Sequence, residues 1–306
     1  MARSSLVVLI AGLVATSLGA QQQLGTKIMG GLGIDAGTQG PPGLYIIDRF
    51  LEFRSDKARD RNGNVLPIAG LDILVRGNAL GAAYTVALPT GPLLTFGASL
   101  PWARVSVNSD EPLVSIDRLG VGDIFVQPFK IGAKQERYDV VAAYALFAPT
   151  GKFEPKSGIG AGRGHWTHQF SVGGAAYARA NRARRASALL SYEINGKKRG
   201  IELWRGSILH IQGGAGTPIY QGIVLGVAGY GLRQVSDDRG AALPPRIKGA
   251  RTRAYGLGPE VDFVIPQFRL RGDIRYEWDF GVRARPQGRV LAVGLAYRAW
   301  GPSTRR

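Results

Sequence analysis

Residues 268–280 read Phe-Arg-Leu-Arg-Gly-Asp-Ile-Arg-Tyr-Glu-Trp-Asp-Phe. In an extended chain successive side chains point to opposite faces. Phe268, Leu270, Ile274, Tyr276, Trp278 and Phe280 therefore share one face, and Arg269, Arg271, Asp273, Arg275, Glu277 and Asp279 share the other. A soluble antiparallel sheet also alternates, with its polar face in water. Here the apolar face carries the aromatic bulk, the pattern of a strand with lipid outside and a wet interior. Residues 289–300 repeat the alternation, and so does 185–195, where Ala186, Ala188, Leu190, Tyr192 and Ile194 oppose Arg185, Ser187, Ser191, Glu193 and Asn195.

Outward from these strands, the N-terminus reads as an export signal. Met1–Ala20 has a basic start at Arg3, an apolar stretch from Leu6 to Val14 and a small-residue end at Ser17, Gly19 and Ala20. That stretch is too short for the roughly 20 residues of a spanning helix, and no stop-transfer run follows. The longest later apolar stretch, Gly222 to Gly231, is short and glycine-rich. A barrel is the remaining way to cross a bilayer.

Punctuation along the chain predicts about twelve strands: 44–54, 71–88, 93–107, 121–132, 137–148, 166–179, 185–195, 201–214, 219–233, 251–264, 267–279 and 289–300. An even number suits a bacterial barrel. Long connections at 55–70, 108–120, 149–165 and 234–250 alternate with short ones, and only 196–200 is short where a long one is expected. On this threading Tyr138, Tyr220 and Trp300 fall at periplasmic strand ends and Trp166, Tyr192 and Trp278 near outer ends, as interfacial aromatics should. In the ninth strand Gln221, Ile223, Leu225 and Val227 share a face, and neither side of it reads as lumen.

Composition narrows the function. The 306 residues hold 44 glycines and no cysteine, which suits short strands and turns and excludes disulfide and thiolate chemistry. The net charge of +17 is spread over loops and strand faces rather than gathered into a run, which argues against nucleic acid and for phosphate groups of surface lipids. Three histidines bear on catalysis. Ser207 and His210, like His168 and Ser171, are an odd number of residues apart and so on opposite strand faces, leaving no Ser–His dyad for a lipid hydrolase. No His, Asp or Glu cluster has metal-ligand spacing, and no cofactor is implied.

A family resemblance runs from about Pro41 to the C-terminus. Its landmarks are Pro41-Pro42-Gly43-Leu44-Tyr45, Asn62-Gly63, Gly120-x-Gly122-Asp123 with Pro128, Ala148-Pro149-Thr150-Gly151 and Trp166. They continue with Tyr192 and Asn195, Arg205-Gly206 with His210, Gly226 to Tyr230 leading to Gln234, Asp238 and Gly240, then Gly258-Pro259, Pro286 and Gly288. In this order and spacing they resemble the meta-pathway phenol-degradation outer-membrane proteins. The resemblance implies an outer-membrane barrel that takes up aromatic or other hydrophobic compounds. Gly301–Arg306 follows the last aromatic, Trp300, where many such barrels end on the aromatic itself.

The expected organisation is a signal peptide over 1–20, a periplasmic segment over 21–40, an all-β antiparallel transmembrane barrel of about twelve strands over 41–300, and a tail over 301–306. The expected function is a porin-like, monomeric conduit in the outer membrane of a Gram-negative bacterium, passing or binding small hydrophobic or aromatic solutes. A structural or plugged barrel without transport, and a barrel-embedded lipid hydrolase, are the alternatives. Asp123, Glu193, His210, Arg271, Asp273, Arg275 and Glu277 are the expected lumen-lining residues. A twelve-stranded barrel falls between filled and channel-sized barrels, so these charges either line a narrow passage or pair across it and fill it. The alternation also predicts that Tyr276→Arg is costly and Arg275→Gln is tolerated.

Overall fold

The computed structural model describes residues 28–155, 160–178 and 184–302. Among them are thirteen strands: β1 (Gly43–Arg59), β2 (Asp72–Ala87), β3 (Leu93–Ser109), β4 (Val114–Val121), β5 (Ile124–Lys134), β6 (Tyr138–Ala148), β7 (Thr167–Tyr177), β8 (Arg185–Asn195), β9 (Ile208–Tyr220), β10 (Ile223–Gln234), β11 (Arg253–Ile265), β12 (Leu270–Arg283) and β13 (Arg285–Trp300). Neighbours pair antiparallel, and β1 pairs with both β2 and β13, so the sheet closes on itself. β3 pairs with β4 over Trp102–Ser109 and with β5 over Leu93–Ser99. β4 and β5 are thus two halves of one stave, and the thirteen strands form a closed barrel of twelve staves. Closure leaves no sheet edge to satisfy in lipid.

The broken stave corrects the expected fourth strand, because Val114–Val121 lies in the sheet rather than in a loop. Pro101 and Pro128 have no N–H to give the ladder. The register slips between Val126 and Phe129, across Pro128, and between Thr95 and Gly97, ahead of Pro101. At the break the Gly122 N–H donates to the Pro101 carbonyl at 2.8 Å. The Asp123 carboxylate leaves the ladder and accepts the backbone N–H groups of Gly151 and Arg163.

The stripe that opened the sequence reading sets the faces of β12. Ile274, Trp278 and Phe280 are exposed on the outside, whereas Arg275, Glu277 and Asp279 are buried inside. Tyr138, Tyr220 and Trp300 lie exposed at the short-turn end of the barrel, and Trp166, Tyr192 and Trp278 lie exposed toward the other. β10 now has a direction: Leu225 and Val227 face out, and Ala228, Tyr230 and Leu232 are buried inside. The expected strand over 201–214 starts only at Ile208. Residues 196–207 form instead a long connection, pinned by bridges from Trp204 to Lys197 and Arg239. Phe268 belongs to a 3-10 turn, Pro266–Phe268, ahead of β12.

Of the segment expected on the periplasmic side, 21–40, the part from Ile28 to Gln39 lies inside the barrel. Residues 1–27, the expected signal peptide included, and residues 303–306 of the expected tail lie outside the described residues. Met29 packs with Ile208, Tyr230 and Leu232 in the half of the lumen toward the long loops. The Ile34 N–H donates to Glu260 at 2.8 Å, and the Ser187 hydroxyl donates to the Ile34 carbonyl at 2.7 Å. Lower down, Thr38 donates to Asp139 and Gln39 to Thr95 and the Lys130 carbonyl. Close approach of backbones makes the seat: a Cβ on Gly37 would lie 2.0 Å from the Gly174 carbonyl oxygen. Ile34 is completely buried, a gain of roughly 1.5–3 kcal/mol over exposure.

Arg275 is fully buried, bonded to Asp273 and 3.8 Å from Glu260. Its replacement is therefore not the tolerated change that alternation alone predicts. Tyr276→Arg should cost about 2–4 kcal/mol by setting a charge against hydrocarbon. Arg275→Gln should cost about 3–5 kcal/mol by stranding buried carboxylates. Urea unfolding of the barrel in lipid vesicles checks both, with Tyr276→Phe as the neutral reference. If Tyr276→Arg matched Tyr276→Phe, the face assignment would be wrong.

Candidate solute-binding lumen

Inward-facing charges occur at two levels of the lumen. At the lower level Arg49 bonds Asp273 at 3.0 and 3.2 Å, and Arg275 reaches Asp273 and Glu260. Arg185 bonds Asp35 at 2.7 Å and Asp262 at 2.5 Å, and Arg271 joins the same two carboxylates. Here the charges pair, and through Asp35 they tie the N-terminal segment to β8, β11 and β12. Glu277 is wholly buried beside Gly30, with no hydrogen-bond partner on either carboxylate oxygen.

The upper level joins Asp123, Glu193 and His210. His210 Nε2 lies 3.1 Å from Glu193 Oε1, and Arg163 is 3.7 Å from the other carboxylate oxygen. The expected lumen-lining residues therefore form two separate groups. Sequence reasoning missed four cations of the upper group: Arg163, Lys198, Arg205 and Arg285. Three sit in long connections and the fourth opens β13, so no strand alternation marks them among the 39 lysines and arginines.

Between these levels is a cavity of about 760 Å³. Its walls come mainly from the inner faces of β1 to β3 and β5 to β7: Ile47, Leu51, Phe53, Val75, Val105, Phe125 and Phe147 among them. Ile28, Leu32 and Ala36 of the N-terminal segment also line it. Gly160 and Gly162 of the long connection before β7 reach it too, and Gly162 packs on Gly151 and Asp123. Residues 160–162 of this connection thus fold back against the lumen. Polar side chains interrupt this wall, the ionisable ones being Asp35, Arg49, Asp123, Lys130, Arg163, Lys198 and Arg285.

Burial shapes the ionisation of two connection residues. Desolvation, with Arg205 beside it, lowers Lys198 to about 7, against the pull of Asp238 and Asp123. Desolvation and the neighbouring Arg163 and Lys198 lower His165 to about 3, so His165 is neutral at physiological pH. Its ring bonds Asn195 and the Arg163 carbonyl.

The serine and histidine pairs do not meet. His168 lies outside, against Tyr144 at 2.8 Å, whereas Ser171 is buried inside on Ser191. His210 is engaged with Glu193, while the Ser207 backbone bonds Ser236. Among the described residues no group of three or more His, Asp or Glu side chains is arranged to hold a metal ion.

The family model described as "Putative MetA-pathway of phenol degradation" matches residues 55–294. No curated protein matches the chain in sequence. Among solved structures, the COG4313 outer membrane channel from Pseudomonas putida F1 superposes with a TM-score of 0.76 at 13% identity, over 86% of this chain and 97% of that one. The β domain of the Bordetella autotransporter BrkA aligns over 84% of this chain and 99% of its own at 11% identity, with a TM-score of 0.48. The first of these likenesses is one of fold: a closed barrel of the outer-membrane type.

Because Lys198 loses its proton near neutrality, the upper lumen is more positive at pH 6 than at pH 8. Reversal potentials in planar bilayers should therefore show anion preference falling across that range. Lys198→Gln should flatten the change, and an unaltered slope in that variant would assign the titration elsewhere.

Proposed function

The chain belongs to the phenol-degradation family whose model spans most of its barrel, and from that premise we propose that it is an outer-membrane conduit of a Gram-negative bacterium for small hydrophobic or aromatic compounds. The observation that carries the reading is the cavity of about 760 Å³, walled by aliphatic and aromatic side chains inside a barrel. Ligand pockets of roughly 300–1,000 Å³ hold one small molecule and are mostly apolar. An open aqueous pore would line the same space with charge.

The N-terminal segment sets the gating problem. Its lower part, Asp35 to Gln39, lies between the cavity and the short-turn end, bonded to Arg185, Asp139 and the Lys130 carbonyl. A solute enters beneath the long connections, rests against the apolar wall and leaves toward the periplasm when this segment yields. The chain works as a monomer in lipid, with the export signal at its N-terminus removed. The same bonds favour the second reading, a plugged barrel without transport.

Uptake of a neutral aromatic such as ethylbenzene into proteoliposomes separates the two. We expect uptake by the natural chain and severalfold slower uptake by Ala143→Phe, which pushes a ring into the cavity from β6. No uptake above protein-free vesicles would leave the plugged barrel as the function.

A further inference from the structure

Resting on the conduit reading, we propose that the cavity selects an amphiphilic anion: an aromatic or short aliphatic body carrying one carboxylate, seated with the carboxylate on Lys198 and Arg285. Both side chains line the cavity, and both are at least nine-tenths buried, at 2% and 5% exposure. Lys198 Nζ has no hydrogen-bond partner, and neither do Nε and Nη1 of Arg285. Lys198 rests over the Phe153 ring at 4.9 Å, a contact that leaves its N–H donors unused. Burying such donors without an acceptor is expensive.

Of the carboxylates nearby, Asp123, Asp238, Glu193 and Asp279 are engaged with other groups, whereas both oxygens of Glu277 are without a hydrogen-bond partner. Asp123 accepts two backbone N–H groups, and Asp238 accepts the Gly206 N–H and Gln234, with its second oxygen 4.0 Å from Arg205. Glu193 holds His210, and Asp279 takes the Tyr230 hydroxyl and the Gly288 N–H. Arg163 and Arg205 add positive charge, and Arg163 is stacked 4.5 Å over Phe147 at the same cavity. Unsatisfied cationic donors thus line a space whose walls also carry apolar side chains, Leu51, Phe53, Val75 and Phe125 among them. A neutral hydrocarbon would leave those donors unmade, and a bare inorganic anion would leave the apolar wall empty. An aromatic carboxylate satisfies both, through charge-assisted hydrogen bonds and apolar contact.

The test is fluorine NMR of the full chain in lipid nanodiscs with three probes of one shape: 4-fluorobenzoate, 4-fluorobenzamide and 4-fluorobenzylamine. The benzoate should bind roughly tenfold more tightly than the amide, and the ammonium most weakly. Lys198→Gln combined with Arg285→Gln should erase the preference for benzoate while amide binding persists. Retention of the heat-modifiable gel shift shows that this variant still folds. Ala143→Phe should weaken benzoate and amide alike. Equal binding of benzoate and amide by the natural chain would overturn the anion selection and leave the conduit reading standing. Binding of none of the probes would overturn both. Displacement of benzoate by an equal concentration of acetate would overturn the amphiphile class, since it would show that the apolar body contributes nothing.

Discussion

Twelve staves enclose more room than inward side chains can fill and less than a free aqueous channel needs. That mismatch governs the interior. The chain resolves it by threading Ile28–Gln39 through its own lumen, where Ile34 and Met29 are buried and backbone groups bond Glu260 and Ser187. A polar lumen wall meets a short apolar segment, so each side must supply what the other lacks. Glycines at the contact let the backbones approach, and carboxylates and arginines on β8, β11 and β12 bond the segment through Asp35. Buried ion pairs of this kind add little net stability over apolar packing. Their consequence is positional: the segment has one seat, and the space left beside it has one shape.

That leftover space carries the proposed function. It is largely apolar because the inner faces of β1 to β3 and β5 to β7 carry aliphatic and aromatic side chains there, while on β12 Arg271 bonds Asp35 of the segment and Arg275 bonds Asp273. Two of the cations at its edge, Arg163 and Lys198, belong to connections folded inward, pinned by Trp204 and by Asp123 at the broken stave, and Arg285 opens β13. Barrel wall, inserted segment and infolded connections thus each contribute a surface to one chamber.

Legibility in the sequence followed what each residue faces. β8 is found at Arg185–Asn195, the range its alternation marks, because one side meets lipid and the other a polar lumen. β12 is legible for the same reason. β10 was ambiguous for a physical cause: its inner residues Ala228, Tyr230 and Leu232 meet Met29 and Ile34 rather than water, so both its faces are apolar. β9 starts later than expected because residues 201–207, apolar at Ile201, Leu203 and Trp204, are held in a connection by the Trp204 bridges. The insertion of Ile28–Gln39 left no periodic signal at all, since an irregular segment bonded to distant carboxylates has no local pattern. Lys198 and Arg285 were hidden by the general basicity of the chain, and only their burial against a cavity sets them apart.

Because the chain has no cysteine, a single engineered pair can test whether the segment both occupies the lumen and moves. Thr38 and Asp139 touch through their side chains at 2.5 Å, and both would be replaced by cysteine. The account predicts that a disulfide forms in the folded barrel, that oxidation stops solute uptake into proteoliposomes, and that a reductant restores it. A pair that never cross-links, or a cross-linked barrel that transports at the reduced rate, would contradict it.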